Sequence, residues 1–220
     1  MHNFGLPGYP GSRIPVPAST EPMTGQSLLD HWSDRYLAAA PAGAVWLGWS
    51  LGAMVVMNAA LRSPAAMKAV VLVAPTPRFV AGDGWDAGVA PGVIRDFLDS
   101  VRAGDRGILR RFVLLQARDS DSARETARVL GGCLVDRTIQ DSVLEAGLTV
   151  LAQVDLRRRV EELNLPVLVI HGEADRVVPA VAGAWIADHV ARGELVSMPA
   201  GHAPFVAKPR EFARKVLAWI

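Results

Sequence analysis

Apolar residues along this chain gather in four short runs, at 45–47, 69–74, 166–170 and 194–198, each bounded by glycine, proline or polar residues. The runs are rich in valine, leucine or isoleucine and do not alternate with polar positions. Such runs predict strands buried on both faces, the pattern of a parallel sheet between helical layers. Elsewhere the period lengthens. Leu28, Leu29, Trp32, Tyr36 and Leu37 recur at helical spacing with Asp30 and Asp34 between them, which predicts an amphipathic helix over 26–40. A second helix is predicted over 51–62. Strands that alternate with helices give an α/β fold.

About ninety residues separate the second and third runs without a strand pattern. They open with a loop carrying Pro75, Pro77, Gly82, Gly84, Gly88, Pro91 and Gly92 and continue as helical patterns at roughly 93–102, 105–118, 122–135 and 139–152. A helical block inserted in an α/β sheet covers the carboxyl ends of the strands, where ligands bind. The expected organisation is a core of 1–77 and 156–220 with a helical cap at 78–155. Residues 1–25 are rich in glycine and proline and read as loop. There is no internal repeat.

Composition narrows the class. A chain of 220 residues, half of them apolar, is one globular domain rather than a disordered segment. The net charge of +1 excludes a surface built as a whole for nucleic acid or anionic membrane. Lys68, Lys208 and Lys215 are the only lysines, the other basic residues being arginines, which a GC-rich genome explains. A single cysteine, Cys133, allows no internal disulfide. The first residues lack the basic and apolar regions of a secretory signal. The most apolar stretch, 45–61, is short for a membrane span and contains Gly48, Ser50, Gly52 and Asn58. A cytoplasmic monomer is expected, with no nucleic acid or membrane partner.

The first run leads into Gly48-Trp49-Ser50-Leu51-Gly52, a G-x-S-x-G sequence between a predicted strand and a predicted helix. That context predicts a nucleophile elbow, a strained turn that lifts the Ser50 hydroxyl out at the carboxyl end of the strand. Side chains at the two glycines would meet neighbouring backbone. The turn also aims the Leu51 N–H and the helix start at a reacting carbonyl, as an oxyanion donor. The plain alternative is a glycine-rich turn capped by a serine.

A serine hydroxyl needs a base, and the base an orienting acid. The third run ends in Ile170-His171-Gly172-Glu173-Ala174-Asp175, which offers Asp175. Glu173 is an alternative acid, expected to point away from Asp175. The fourth ends in Pro199-Ala200-Gly201-His202-Ala203-Pro204-Phe205, which offers His202 on the loop before the last helix. Ser, Asp and His in this order, each leaving a strand end on the same side, match the α/β-hydrolase arrangement. His171 reads as a hydrogen-bonded structural histidine, His31 and His189 as surface residues, and His2 as part of a terminal loop. No spacing suits a zinc or calcium site, a phosphate-cradling loop or a dinucleotide fingerprint, so neither metal nor cofactor is expected.

The helical block is rich in arginine. Arg102, Arg106, Arg110, Arg111, Arg118, Arg124 and Arg128 face only Asp105, Asp119, Asp121 and Glu125, and Arg124 and Arg128 share a helical face. One reading is a solvated helix surface; the other is a docking patch for an acidic partner, since guanidinium suits carboxylate and phosphate. The patch is too small and mixed for DNA.

Trp46 to Gly52, the run 69–74, Phe112 to Gln116, Val154-Asp155-Leu156-Arg157 and His202-Ala203-Pro204-Phe205 together resemble the pimeloyl-acyl-carrier-protein methyl ester esterases of biotin synthesis. The resemblance spans nearly the whole chain. The tryptophan before the nucleophile and the arginine pattern are more specific to that family than the elbow. It implies an α/β-hydrolase sheet, mostly parallel and shortened at its N-terminal side, with a helical cap insertion. Ser50, Asp175 and His202 would be the catalytic triad of a serine carboxylesterase, and Leu51 N–H an oxyanion donor. Trp49 and Phe112 would line the acyl channel. Arg111, Arg124 and Arg128 match cap arginines that grip the acidic carrier protein; a further family arginine falls near Gly107, with Arg106 its neighbour. The implied partner is an acyl carrier protein carrying a pimeloyl methyl ester. Alternatives on the same residues are a general short-acyl carboxylesterase, an acyltransferase, or a truncated, weakly active or non-catalytic binding protein.

The sequence departs from that family in one respect. The family's second oxyanion donor comes from a His-Gly loop after an early strand, and no such segment precedes Ser50. Leu6 to Ser12 instead resembles the family's later Pro-Gly-x-Gly-x-Ser loop. The strand beside the nucleophile strand is then missing, which should leave a gap and unpaired backbone groups. Either the start lies inside a longer reading frame or the protein is a weak or inactive remnant; the intact motif context of the triad favours the first.

Overall fold

The computed structural model describes residues 5–7, 12, 23–118, 122–134 and 139–220. Among these residues the sheet has four parallel strands, β1 (Ala44–Trp49), β2 (Met67–Val73), β3 (Val167–Gly172) and β4 (Gly193–Met198), paired in chain order. The expected parallel sheet is therefore present, and the four apolar runs are its strands.

The alternation of side chains along a strand explains why the central runs are apolar throughout. Val70, Leu72, Val167 and Val169 join the core on one face of the sheet, with α1 (Gly25–Ala39) and α2 (Leu51–Arg62). Val71, Val73, Leu168 and Ile170 form the core on the other, under Phe212, Val216 and Trp219. β2 and β3 are buried on both faces. β1 has a strand on one side only among the described residues, and Leu47 is half exposed there.

Polar groups fix the helices. Thr24 caps α1 by accepting the Ser27 amide at 3.1 Å. The fully buried Asn58 of α2 donates to Asp30 and Ser33 of α1, both at 2.9 Å, so its amide N–H groups are partnered where the two helices meet.

Between β2 and β3 stand α3 (Pro91–Arg102), α4 (Gly107–Ala117), α5 (Ala123–Leu134) and α6 (Asp141–Gln153), packed around Trp85, Ile94, Leu109 and Val143 in an apolar cluster that also takes in Val177, Val178 and Ala182 beyond β3. The two ends of this segment lie side by side. Arg78 and Asp155 form an antiparallel bridge, and Leu156 N–H donates to Pro77 O at 2.8 Å. Arg157 binds Asp155 at 2.7 Å and lies 5.7 Å from the Trp85 ring centroid. α6 also packs on α1, where Gly25 N–H donates to Gln153 Oε1 at 2.7 Å.

After β3 comes α7 (Ala180–His189). The single last helix expected after His202 is two, α8 (Pro204–Ala207) and α9 (Pro209–Trp219), because Pro209 has no N–H and keeps Lys208 out of helical geometry. His2, Asp119, Asp121 and most of the proline-rich segment at 1–25, including Gly8 to Gly11, lie outside the described residues.

Candidate active site

Ser50 sits between β1 and α2 with φ 54° and ψ −120°, a region costly for any residue with a Cβ. Its N–H still donates to Val73 O at 2.9 Å, continuing the ladder to β2, while its carbonyl accepts from Ala53 N at 2.9 Å, opening α2. The turn is therefore held from both ends. A Cβ at Gly48 would overlap the Gly52 carbonyl and come 2.8 Å from Ala53 Cα. Among the described residues a Cβ at Gly52 would have nothing within 4 Å, so the expectation that both glycines are sterically required is corrected: the packing of the described residues requires Gly48 and not Gly52. Leu51 supplies the first amide of α2, which has no acceptor within its own helix and lies at the positive end of the helix dipole.

Asp175 lies on the loop after β3. Glu173 N–H to Met198 O at 2.9 Å and Ala174 N–H to Ala200 O at 3.0 Å tie that loop to the exit of β4. The Asp175 carboxylate is buried and accepts the Val177 and Val178 amides on Oδ1, at 2.8 and 2.9 Å. Glu173, the alternative acid, is exposed on the outside of the loop.

His202 lies just beyond β4, 1% exposed. Its N–H donates to Gln116 O at 3.2 Å, and its carbonyl accepts the Trp49 indole N–H at 2.8 Å. The loop is thus pinned by both α4 and the residue before Ser50. These anchors place His202 Nδ1 2.8 Å from Asp175 Oδ2 and His202 Nε2 2.9 Å from Ser50 Oγ. With Asp175 ionised, Nδ1–H donates to it and the Nε2 lone pair faces the serine hydroxyl. Burial pushes the Asp175 carboxyl up, but hydrogen bonds from His171 and His202, the charge of His202 and the Val178 amide outweigh it and hold the group well below the usual carboxylate range. An imidazole nitrogen, a hydroxyl in its reach and a helix-start amide beside that hydroxyl can form and cleave an acyl-serine.

The other expected residues fall in different places. Trp49 packs beside the triad, 5.5 Å from the His202 ring and edge-on to Phe205 at 5.0 Å. Phe112 packs against Phe97 at 5.5 Å, among the inserted helices. Arg111 is exposed and paired with Asp105 at 2.8 Å, and Arg128 is paired with Glu125, its Nε at 2.9 Å. Arg124 is exposed and has no ion-pair partner among the described residues. Arg106 pairs with Asp141 at 2.6 Å. A groove of about 440 Å³ runs between α4 and α5, lined by Arg110, Val113, Leu114, Ala127, Arg128, Gly131 and Gly132. Val113 and Ala127 belong to the cluster that reaches Ala203 and Trp49, next to His202.

His31 and His189, expected at the surface, are both half exposed, and His189 stacks on Trp185 with ring centroids 3.8 Å apart. His171 is hydrogen-bonded, as its sequence context suggested. Its second contact, 3.2 Å from Asp175 Oδ2, was missed, although the spacing of four residues to Asp175 was visible. Among the described residues no cluster of His, Cys, Asp or Glu is arranged to hold a metal, and no helix is long and apolar enough to cross a membrane.

Comparison with known proteins agrees with this geometry. The sequence profile of the α/β hydrolase family matches residues 2–215. The pimeloyl-[acyl-carrier protein] methyl ester esterase of Pectobacterium atrosepticum is 34% identical over all of this chain and 83% of its own length. That of Serratia marcescens is 36% identical with the same coverage. Among solved structures, an esterase from Exiguobacterium antarcticum superposes with a TM-score of 0.81 at 16% identity, over 97% of this chain and 78% of its own, a likeness of fold. A serine–histidine–aspartate chain on a parallel sheet, carried by a sequence aligned along its whole length with these relatives, shows that the protein belongs to the α/β hydrolase family and, within it, to the pimeloyl-[acyl-carrier protein] methyl ester esterases.

Proposed function

We propose that this protein is a serine carboxylesterase that hydrolyses the methyl ester of pimeloyl-acyl-carrier protein, with Ser50 as nucleophile, His202 as general base and Asp175 as the acid that orients it. The observation that carries the reading is the hydrogen-bonded chain from Ser50 Oγ through His202 to Asp175, in a sequence whose relatives bear that name. His202 Nε2 takes the Ser50 proton as Oγ attacks the ester carbonyl. The developing oxyanion meets Leu51 N–H. Collapse expels methoxide, which leaves as methanol with the proton from His202. Water, deprotonated by the same nitrogen, then attacks the acyl-serine and releases the free carboxylate of the carrier-bound acyl chain, restoring Ser50. The sum is ester plus water giving acid plus methanol.

In this reading residues 78–155 form a cap. The groove between α4 and α5, apolar below and bordered by Arg110 and Arg128, leads toward Trp49 and His202 and admits the acyl arm, with Trp49 and Phe112 along its path. Arg124 meets the acidic carrier directly, whereas Arg111 and Arg128 exchange Asp105 and Glu125 for carrier carboxylates. A substrate borne on an acyl carrier protein also puts the enzyme in the cytoplasm.

The test is turnover of purified protein on a carrier-linked pimeloyl methyl ester, followed by methanol release. Wild type is expected to turn over, and Ser50→Ala to lose on the order of 10⁴-fold or more in kcat while keeping its circular-dichroism spectrum. Undiminished turnover by Ser50→Ala would rule the triad out. Turnover of small esters with none of the carrier-linked substrate would leave a general esterase.

A further inference from the structure

We infer that His171 is a positioning residue for the triad: its Nε2–H holds the Asp175 carboxylate in the plane that faces His202 and shares the Oδ2 atom with His202. This rests on the triad reading above. His171 is on β3, 1% exposed, four residues before Asp175. Its Nε2 lies 3.0 Å from the Val178 carbonyl and 3.2 Å from Asp175 Oδ2. Both partners are acceptors, so Nε2 carries the hydrogen. Nδ1 is buried and has no hydrogen-bond partner among the described residues, and a proton there would be buried unpaired. The ring is therefore the neutral Nε2–H form.

Its orientation is set from behind. Gly183 of α7 faces the imidazole, and a Cβ there would overlap Nδ1 and come 3.1 Å from Cγ. α7 leaves room for the ring because position 183 has no side chain. Asp175 thus accepts the Val177 and Val178 amides on Oδ1 and His202 on Oδ2, and the His171 Nε2–H, hydrogen-bonded to Val178 O, stands 3.2 Å from the same Oδ2. The ionisable groups that bear on this oxygen are the two histidines. Glu173 and Arg176 of the same loop are exposed, as are Lys68 of β2 and Glu194 of β4. Asp188 and His189 lie in the last turn of α7, where His189 is bonded to Trp185 O. Without His171 the whole of Oδ2 falls to His202, which favours its imidazolium form, and the carboxylate loses one of the groups that fix its plane.

The experiment measures kcat and KM for p-nitrophenyl butyrate across pH in the full chain carrying His171→Leu, His171→Gln or Gly183→Ala, with Ser50→Ala alongside. In His171→Leu, kcat is expected to fall about tenfold or more with KM within about twofold, and the acid limb of kcat/KM to move to higher pH. His171→Gln, whose amide N–H reaches the same oxygen, restores most of the rate. Gly183→Ala, its fold checked by circular dichroism, puts a Cβ where the ring stands and by displacing it is expected to lower kcat and move the acid limb in the same direction. Wild-type kcat and acid limb in either His171→Leu or Gly183→Ala would overturn the inference, as would His171→Gln no better than His171→Leu. If His171→Leu does not fold, the Gly183→Ala profile decides alone. Undiminished activity of Ser50→Ala strikes the triad reading instead and is read independently of these variants.

Discussion

Ser50 holds a backbone conformation that a free chain avoids, at a cost of order 1–3 kcal/mol, because Val73 O and the first turn of α2 hold it there. Gly48 makes that turn sterically open, and the two motif glycines should separate on substitution. Gly48→Ala must push its Cβ into the Gly52 carbonyl and is expected to lose about 1–3 kcal/mol or more in urea unfolding. Gly52→Ala meets open space in the first turn of a helix and is expected to be neutral or to gain up to about 1 kcal/mol. Equal destabilisation by both would contradict the packing described. The motif spelled out the serine in advance, but not which glycine was sterically needed, since that depends on how the helix start folds back over the strand.

Among the elements, the strands were the most legible. Val70 and Val71 point into different cores, and both are apolar because helices cover both faces, so the run alone announced a buried strand. The arginines of α5 were legible as charges but not as partners. Arg128 lies three residues from Glu125 and binds it, while Arg124 has no such partner among the described residues and faces solvent. Reversing both, Arg124→Glu with Arg128→Glu, is expected to lower kcat/KM for a carrier-linked ester about tenfold or more and to leave a small ester within about twofold. Arg124 contributes the larger part, because Arg128 must first give up Glu125. Added salt should shrink the difference, as it does for exposed charges. An equal loss on both substrates would argue against docking at this helix.

At the scale of the whole molecule, Asp175 joins the loop after β3 to the loop after β4 and, through His202, to α2. Its folded carboxyl is held well below the unfolded value of about 3.9. The folded group is the stronger acid, so its contribution to stability is complete above the unfolded value and is lost as pH falls through it toward the folded value. The stability gap between wild type and Asp175→Asn in urea unfolding is therefore expected to be widest near neutral pH and to narrow below about pH 4. A gap that stays constant down to pH 3 would mean that Asp175 is not preferentially ionised in the fold.

The sequence by itself determined the α/β class, the four strands and the helical block between the second and third of them, and singled out Ser50, Asp175 and His202 as candidates at strand ends. These follow from local chemistry: a period of two or 3.6, a motif at a strand end, a titratable side chain after an apolar run. Only the tertiary structure decided which groups meet. It brought His202 between Ser50 and Asp175, set His171 3.2 Å from the same carboxylate oxygen, and pinned the His202 loop to Gln116 and Trp49. Those distances depend on how the sheet registers strands far apart in the chain and on which helices pack behind them, and no local pattern carries that information.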